Sequence, residues 1–259
     1  MGSQLSAQGW VLDLDGVIWL GDEPIAGSAD ACGRLGRDGA SLLYVTNMSR
    51  LTVAEQEAKL ARHGIDAAGR VVTSAMAAAT MVEPGERALV IGGPGVIEAL
   101  EERDVEIVAG DARCDVVVVG MDPGFDYDDM KAATLAVRTG ARFVATNHDP
   151  TFPTPEGLVP GAGAIVAAIE VATGTDALVC GKPHRPMVDL VHDLVGADGI
   201  VVGDRADTDG AFAVALGFGF ALVFSGATSE ADLPVDPTPV HIAADLASLV
   251  DVLAGEPAR

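Results

Sequence analysis

Short apolar runs alternate with amphipathic stretches along the whole chain. Val11, Leu12 and Leu14 open the series as a buried, parallel-type strand, and Gly16 lets the backbone turn tightly out of it. Residues 28–37 read as a helix stopped by Gly39. Residues 41–47 form a second apolar strand with a polar end. Thr52 and Glu55 have the spacing of a capping box, for a helix that runs to His63 with Gly64 beyond it. Residues 70–73 give a third strand, and 74–82 an Ala-rich helix. This βαβαβ order predicts a doubly wound parallel sheet.

A second βα series follows the turn Glu83-Pro84-Gly85-Glu86. Strands are expected over 87–91, 106–108, 115–120 and 142–146. Helices are expected over 96–102, over a segment capped by Asp128 or Asp129 and reaching Arg138, and over 162–172. The stretch from His148 to Pro160 carries Pro150, Pro153, Pro155 and Pro160 and reads as a long loop. Residues 177–180, 200–203, 220–224 and 240–243 return to strand character, with helices over 186–194, 211–216 and 246–253 between and after them. Gly92-Gly93-Pro94-Gly95 lacks both G-x-G-x-x-G and a P-loop lysine, so it reads as turn chemistry. The βα pattern never stops, so periodicity alone shows no domain boundary.

Composition narrows the partners. With 259 residues, 49% of them hydrophobic, the chain can form one large or two moderate domains. Sixteen basic against 38 acidic residues leave a formal charge of −22. That field repels nucleic acid and anionic membranes, so neither is expected as a partner. It also opposes a phosphate-bearing ligand, so any such site needs local cations. Cys32, Cys114 and Cys180 are far apart, odd in number and outside any C-x-x-C, which predicts buried free thiols in a reduced, cytoplasmic protein. Residues 1–9 lack the pattern of a signal peptide, and no apolar run reaches the length of a membrane span.

Chemistry gathers at strand ends. Asp13 and Asp15 leave the first strand two residues apart, on the same side of the pleat. Two bare carboxylates that close repel each other, and Mg²⁺ relieves the repulsion with oxygen ligands. From D-x-D alone, a strand ending in a solvated acidic turn accounts for the pattern equally well. Thr46-Asn47, Lys182, and Asp204 with Asp207 and Asp209 stand at three further strand ends. Singly they read as a helix cap, a surface charge and an N-cap with dipole-favoured acids. Together they make a phosphoryl-transfer set: carboxylates for Mg²⁺, a hydroxyl and an amide for phosphate oxygens, a lysine for developing charge.

Leu12-Asp13-Leu14-Asp15-Gly16-Val17, Val45-Thr46-Asn47, Gly181-Lys182-Pro183 and Gly203-Asp204-Arg205-Ala206-Asp207-Thr208-Asp209 resemble, in order, the four motifs of the haloacid-dehalogenase-like (HAD) hydrolases. The likeness is greatest to the NagD-like, nitrophenyl-phosphatase branch (class IIA), which inserts a large α/β cap between the second and third motifs. The segment from Ala145-Thr146-Asn147-His148-Asp149 to Gly161-Ala162-Gly163 is similar to that cap's substrate-facing loop. The resemblance implies an α/β fold: a doubly wound, Rossmann-like core over 1–79 and 177–259, with a cap over 80–176. It implies a Mg²⁺-dependent phosphatase of small phosphomonoesters. Asp13 would be the nucleophile and Asp15 the acid–base. Thr46, Asn47, Asn147 and Lys182 would hold the phosphoryl group or substrate, with Lys182 also counted as catalytic. Asp13, the Asp15 carbonyl and Asp204 would ligate the metal, with Asp209 in support and Asp207 a neighbour. Met48 stands where relatives often carry a second Asn, which bears on substrate range.

Other readings stay open at this point. A receiver-like phospho-acceptor shares acids, a Thr and a Lys on a parallel sheet, but Asp15 and the inserted cap argue for turnover. A carbon–halogen hydrolase needs no general acid, and a phosphomutase rarely has this type of cap. An apolar cap surface would allow a homodimer.

Overall fold

The computed structural model describes residues 9–110, 113–154 and 157–255. The chain divides into two compact units. The first takes the chain up to Thr46, Glu57–Val72, and everything from Val188 on; the second takes Asn47–Gln56 and Thr73–Met187.

The first unit is built on a six-stranded sheet in the spatial order His241–Ala243, Gly219–Val223, Gly199–Gly203, Gly9–Leu12, Ser41–Thr46, Val71–Thr73. Numbered along the chain, the order is that of a doubly wound sheet, 3-2-1-4-5-6. Gly9–Leu12 is parallel to both neighbours, with Leu12 level with Val202 on one side and Tyr44 on the other. Trp10, Val11, Leu12, Val201 and Val202 are all buried, as strands covered on both faces require. The helices Ser28–Arg37 and Leu246–Ala254 pack on each other, and Arg34 forms an ion pair with the buried Asp251 between them. In the second unit Thr52 and Glu55 form the expected box: the Thr52 hydroxyl accepts from Glu55 N and the Glu55 carboxylate from Thr52 N. A two-stranded ribbon, Trp19–Leu20 with Glu23–Pro24, follows the first strand and was not legible in the sequence. Its strands of two residues are too short to show a period.

The second unit carries a five-stranded parallel sheet in the order Leu178–Val179, Arg142–Ala145, Val116–Val119, Arg87–Ile91, Glu106–Val108. Val117, Val119, Phe143 and Leu89 pack against Val137 of the helix Tyr127–Arg138 and Val166 and Ile169 of the helix Ala162–Thr173.

Two expectations change. The helix Tyr127–Arg138 is capped by Asp126, not by Asp128 or Asp129; Asp126 Oδ1 accepts from both of their amides, and Asp129 returns a bond to Asp126 N. Several acids in a row made the cap ambiguous, and the reciprocal box selects the one three residues before another acid. The segment read as a loop holds an antiparallel ribbon, Thr151–Thr154 with Gly157–Pro160. Prolines are tolerated there because a two-stranded ribbon is all edge. Pro155 and Glu156 lie outside the described residues, as does most of the N-terminal stretch read for a signal peptide. Residues 178–179 pair with Val144 and Ala145 of the second sheet. Among the described residues no helix is long and apolar enough to cross a membrane.

Candidate active site

In the first unit the chain order reverses between the strands Gly9–Leu12 and Gly199–Gly203. Open α/β sheets bind ligands at the carboxyl ends of the strands at such a reversal. Asp13 and Asp204 are the next residues after those two ends. Asp13 N still donates to Val202 O at 2.9 Å, so the two chains leave the sheet in step. One carboxylate oxygen each from Asp13, Asp204 and Asp209 lie within 4.8 Å of one another.

The local chain holds each acid in place. Asp204 and Asp209 are 5% and 1% exposed. A Cβ on Gly16 or on Gly226 would come within 3.0 Å of Asp204, so bare backbone closes on this carboxylate from two sides. Ala227 N donates to Asp204 Oδ2 at 2.5 Å, and the Ser225 hydroxyl donates to Gly16 O at 2.6 Å. Asp209 belongs to a π-helical turn, Ala206–Gly210, in which Arg205 O accepts from both Asp209 N and Gly210 N, at 2.8 and 3.1 Å. Such turns concentrate at functional sites. Arg205 N donates back to Asp209 Oδ2 at 3.2 Å. Asp207 instead pairs with the Arg205 guanidinium at 2.9 Å.

Three carboxylates this close, two of them buried, repel one another, and a cation among them offsets that repulsion. A donor set of oxygens alone suits a hard divalent ion such as Mg²⁺. The residues present therefore fit the metal that the motif resemblance implies. Asp209, read from the sequence as support, belongs to the same cluster as Asp13 and Asp204.

Asp15 is held by a tight turn. Leu14 O accepts from Val17 N, Ile18 N and Trp19 N at 3.3, 2.8 and 3.2 Å, and Gly16 N donates to Trp19 O at 2.7 Å. The Trp19 indole Nε1 then donates to Asp15 Oδ1 at 3.0 Å. Thr46 closes the neighbouring strand and is buried.

The second unit assembles the remaining motif residues. Cys180 N and Gly181 N donate to Ala145 O and Thr146 O, continuing the strand pairing to the edge of Lys182. A Cβ on Gly181 would come within 3.0 Å of Asn47 Oδ1 and Thr146 O. Asn47 and Asn147 both donate to Asp149 Oδ2, at 3.0 and 2.9 Å. Thr146 Oγ1 donates to Asn147 Oδ1 at 2.9 Å, and the Ser74 hydroxyl to Asn47 O at 2.7 Å. Lys182 is 4% exposed. His148 Nε2 lies 3.4 Å from Glu170. Burial, and then nearby His148, hold the His184 imidazole below its usual pKa against the opposing pull of Asp149.

Asp149 and Trp19 escaped the sequence reading. The N-x-D spacing of Asn147 and Asp149 at a strand end was a usable sign of the first. A tryptophan four residues beyond an acid carries no comparable signal.

The profile of the haloacid dehalogenase-like hydrolases matches residues 10–106, and a second, HAD-hydrolase-like profile matches residues 179–249. An acid sugar phosphatase of Staphylococcus haemolyticus is 36% identical over 247 residues, 92% of this chain and 94% of that protein. The crystal structure of a glycerol phosphate phosphatase from Mycobacterium tuberculosis in complex with magnesium superposes with a TM-score of 0.88 at 34% identity, over 99% of this chain and 82% of that one. A p-nitrophenyl phosphatase from Archaeoglobus fulgidus gives 0.89 at 28% identity, over 95% and 99%. With both profiles in order and relatives matched along nearly their full length, the chain belongs to the haloacid dehalogenase-like hydrolases, in their NagD-like, nitrophenyl-phosphatase branch.

Proposed function

We propose that this chain hydrolyses small phosphomonoesters through a phosphorylated Asp13. The observation that carries the reading is the convergence of Asp13, Asp204 and Asp209 at the reversal point of the first sheet. Asp13 attacks phosphorus and displaces the alcohol oxygen, forming an acyl phosphate. Asp15 gives that oxygen its proton as the P–O bond breaks. It then takes a proton from the water that splits the acyl phosphate, releasing inorganic phosphate and restoring Asp13.

Asp13, the Asp15 carbonyl and Asp204, backed by Asp209, are the residues that would hold Mg²⁺. The ion supplies positive charge that offsets the carboxylates and the phosphoryl oxygens. Lys182 adds positive charge in a chain whose acids outnumber its bases 38 to 16, and Thr46, Asn47 and Asn147 receive phosphate or substrate oxygens. The division that goes with this reading is a core over 1–79 and 177–259 and a cap over 80–176. Free Cys32, Cys114 and Cys180 support a reducing, cytoplasmic setting. Exposed Leu135, Leu158 and Val171 support a homodimer through the cap, which light scattering would read.

The names of the relatives support substrates such as sugar phosphates, glycerol phosphate and nitrophenyl phosphate; nucleoside monophosphates complete the class. A phosphate-release screen over these esters with Mg²⁺ tests the reading. Turnover of one or more esters is expected, and silence across the panel overturns it.

A further inference from the structure

We propose that Trp19, with Lys59 on its ring, is the positioning residue for Asp15. The inference rests on Asp15 being the acid–base group of the reading above.

The indole N–H meets Asp15 Oδ1 at 3.0 Å. Trp19 is 1% exposed and Asp15 is half-buried, so the donor is held inside the fold. The Lys59 ammonium lies 4.2 Å from the centre of a Trp19 ring. It is tied there by the Gly21 carbonyl at 2.7 Å and by Asp22 at 3.3 Å. His63, four residues further along, packs its ring 5.9 Å from that of Trp19. A cation over the indole face draws density from the ring and strengthens the N–H as a donor. A bond held on Oδ1 fixes the rotation of the Asp15 carboxyl about its Cβ–Cγ axis, and a group that must meet a departing oxygen depends on that orientation.

A buried indole commonly finds a partner simply to satisfy its N–H. This core does not demand that: Trp10, equally buried, leaves its Nε1 without one among the described residues. The Trp19 bond also sits in a turn whose backbone is closed by Gly16 N on Trp19 O, so donor and acceptor share one rigid unit.

The test uses the full chain with Mg²⁺. In ¹⁵N–¹H spectra the Trp19 indole proton should lie downfield of that of Trp10, and Asp15→Ala should move it toward the Trp10 position. Trp19→Phe keeps an aromatic ring and removes the donor. Rapid-quench kinetics should show phosphorylation of Asp13 by an alkyl phosphate slowed about tenfold, a fraction of the roughly 10²–10⁴ that a general acid supplies. The same step with nitrophenyl phosphate, whose leaving group departs without a proton, should change little. Lys59→Met should act in the same direction by about threefold, and Lys59→Arg should restore the wild-type ratio. An unmoved indole signal in Asp15→Ala overturns the proposal. So does an equal slowing of that first step on both esters in Trp19→Phe or, if that variant does not fold, in Lys59→Met. If Asp15→Asn itself slows the first step equally for both esters, the acid–base reading fails, and this inference with it. If Asp15→Asn is selective and Trp19→Phe is not, only the inference falls.

Discussion

The side-chain amide of Asn47 pairs with both backbone polar groups of Lys182. Its Oδ1 accepts from Lys182 N at 2.8 Å, and its Nδ2 donates to Lys182 O at 3.2 Å. An amide is the one side chain that imitates a peptide group in this way. It stands in for a neighbouring strand where Leu178–Val179 has run out and Pro183 prevents a continued ladder. Asn47→Ala should leave the Lys182 amide unsatisfied and cost about 1–3 kcal/mol of stability. Its kcat should fall as the lysine loses its fixed origin. Asn47→Asp keeps an acceptor for Lys182 N but sets a second carboxylate against Asp149, so it should be no better. Thermal melts and steady-state kinetics read both effects.

Removal of the metal gives the next expectation. EDTA should abolish hydrolysis and added Mg²⁺ should restore it. Asp13→Asn should be inactive at any Mg²⁺ concentration, because an amide is a poor nucleophile. Asp209→Asn should instead retain turnover at a higher Mg²⁺ midpoint, since Asp209 belongs to the acid cluster but not to the attack. Phosphate release against Mg²⁺ concentration separates the two behaviours.

Lys182 is almost fully buried in a chain with only Lys59 and Lys131 besides it. Charge that matters chiefly as the phosphoryl group transfers should show in kcat rather than in KM. Lys182→Met preserves the stem and removes the charge. It should lower kcat by about 10²-fold or more, the scale of losing one electrostatic stabiliser, while KM shifts far less. A change confined to KM would mark Lys182 as a docking group.

Much of this was legible in the sequence because it rests on local pattern. Apolar runs and Gly stops placed nearly every strand and helix, and the strand-end rule put Asp13, Thr46 and Asp204 at the carboxyl edge of one sheet. Three kinds of feature stayed hidden. The ribbons at Trp19–Leu20 and Thr151–Thr154 are too short or too Pro-rich to show a period. The π-helical turn at Ala206–Gly210 has the composition of any acidic loop; its geometry comes from Arg205 N and O both being drawn to the Asp209 end. Contacts such as Asp149 with Asn47, 102 residues apart, depend on the fold being complete.

The last expectation concerns Gly226, which no motif singles out. Its backbone has no left-handed φ, so alanine is allowed there by conformation, yet a Cβ would fall within 3.0 Å of Asp204 Oδ2. The Gly226→Ala methyl group must therefore push the carboxylate, or the loop that carries Ala227 N, away from its present position. Either movement disturbs the cluster with Asp13 and Asp209 without removing an acid. The Mg²⁺ midpoint should rise about 10–100-fold, the usual cost of disturbing groups that orient metal ligands, and saturating Mg²⁺ should recover much of the turnover. Gly36→Ala is the control. Gly36 lies in the helix Ser28–Arg37 with nothing within 4 Å of a new Cβ, so this change should stabilise the fold by about 0.5–1 kcal/mol. Its Mg²⁺ midpoint should not move. Calorimetric titration with Mg²⁺, paired with thermal melts, reads both variants. An unchanged midpoint in Gly226→Ala would mean that the loop yields freely, and that the tight backbone around Asp204 does not set its place in the cluster.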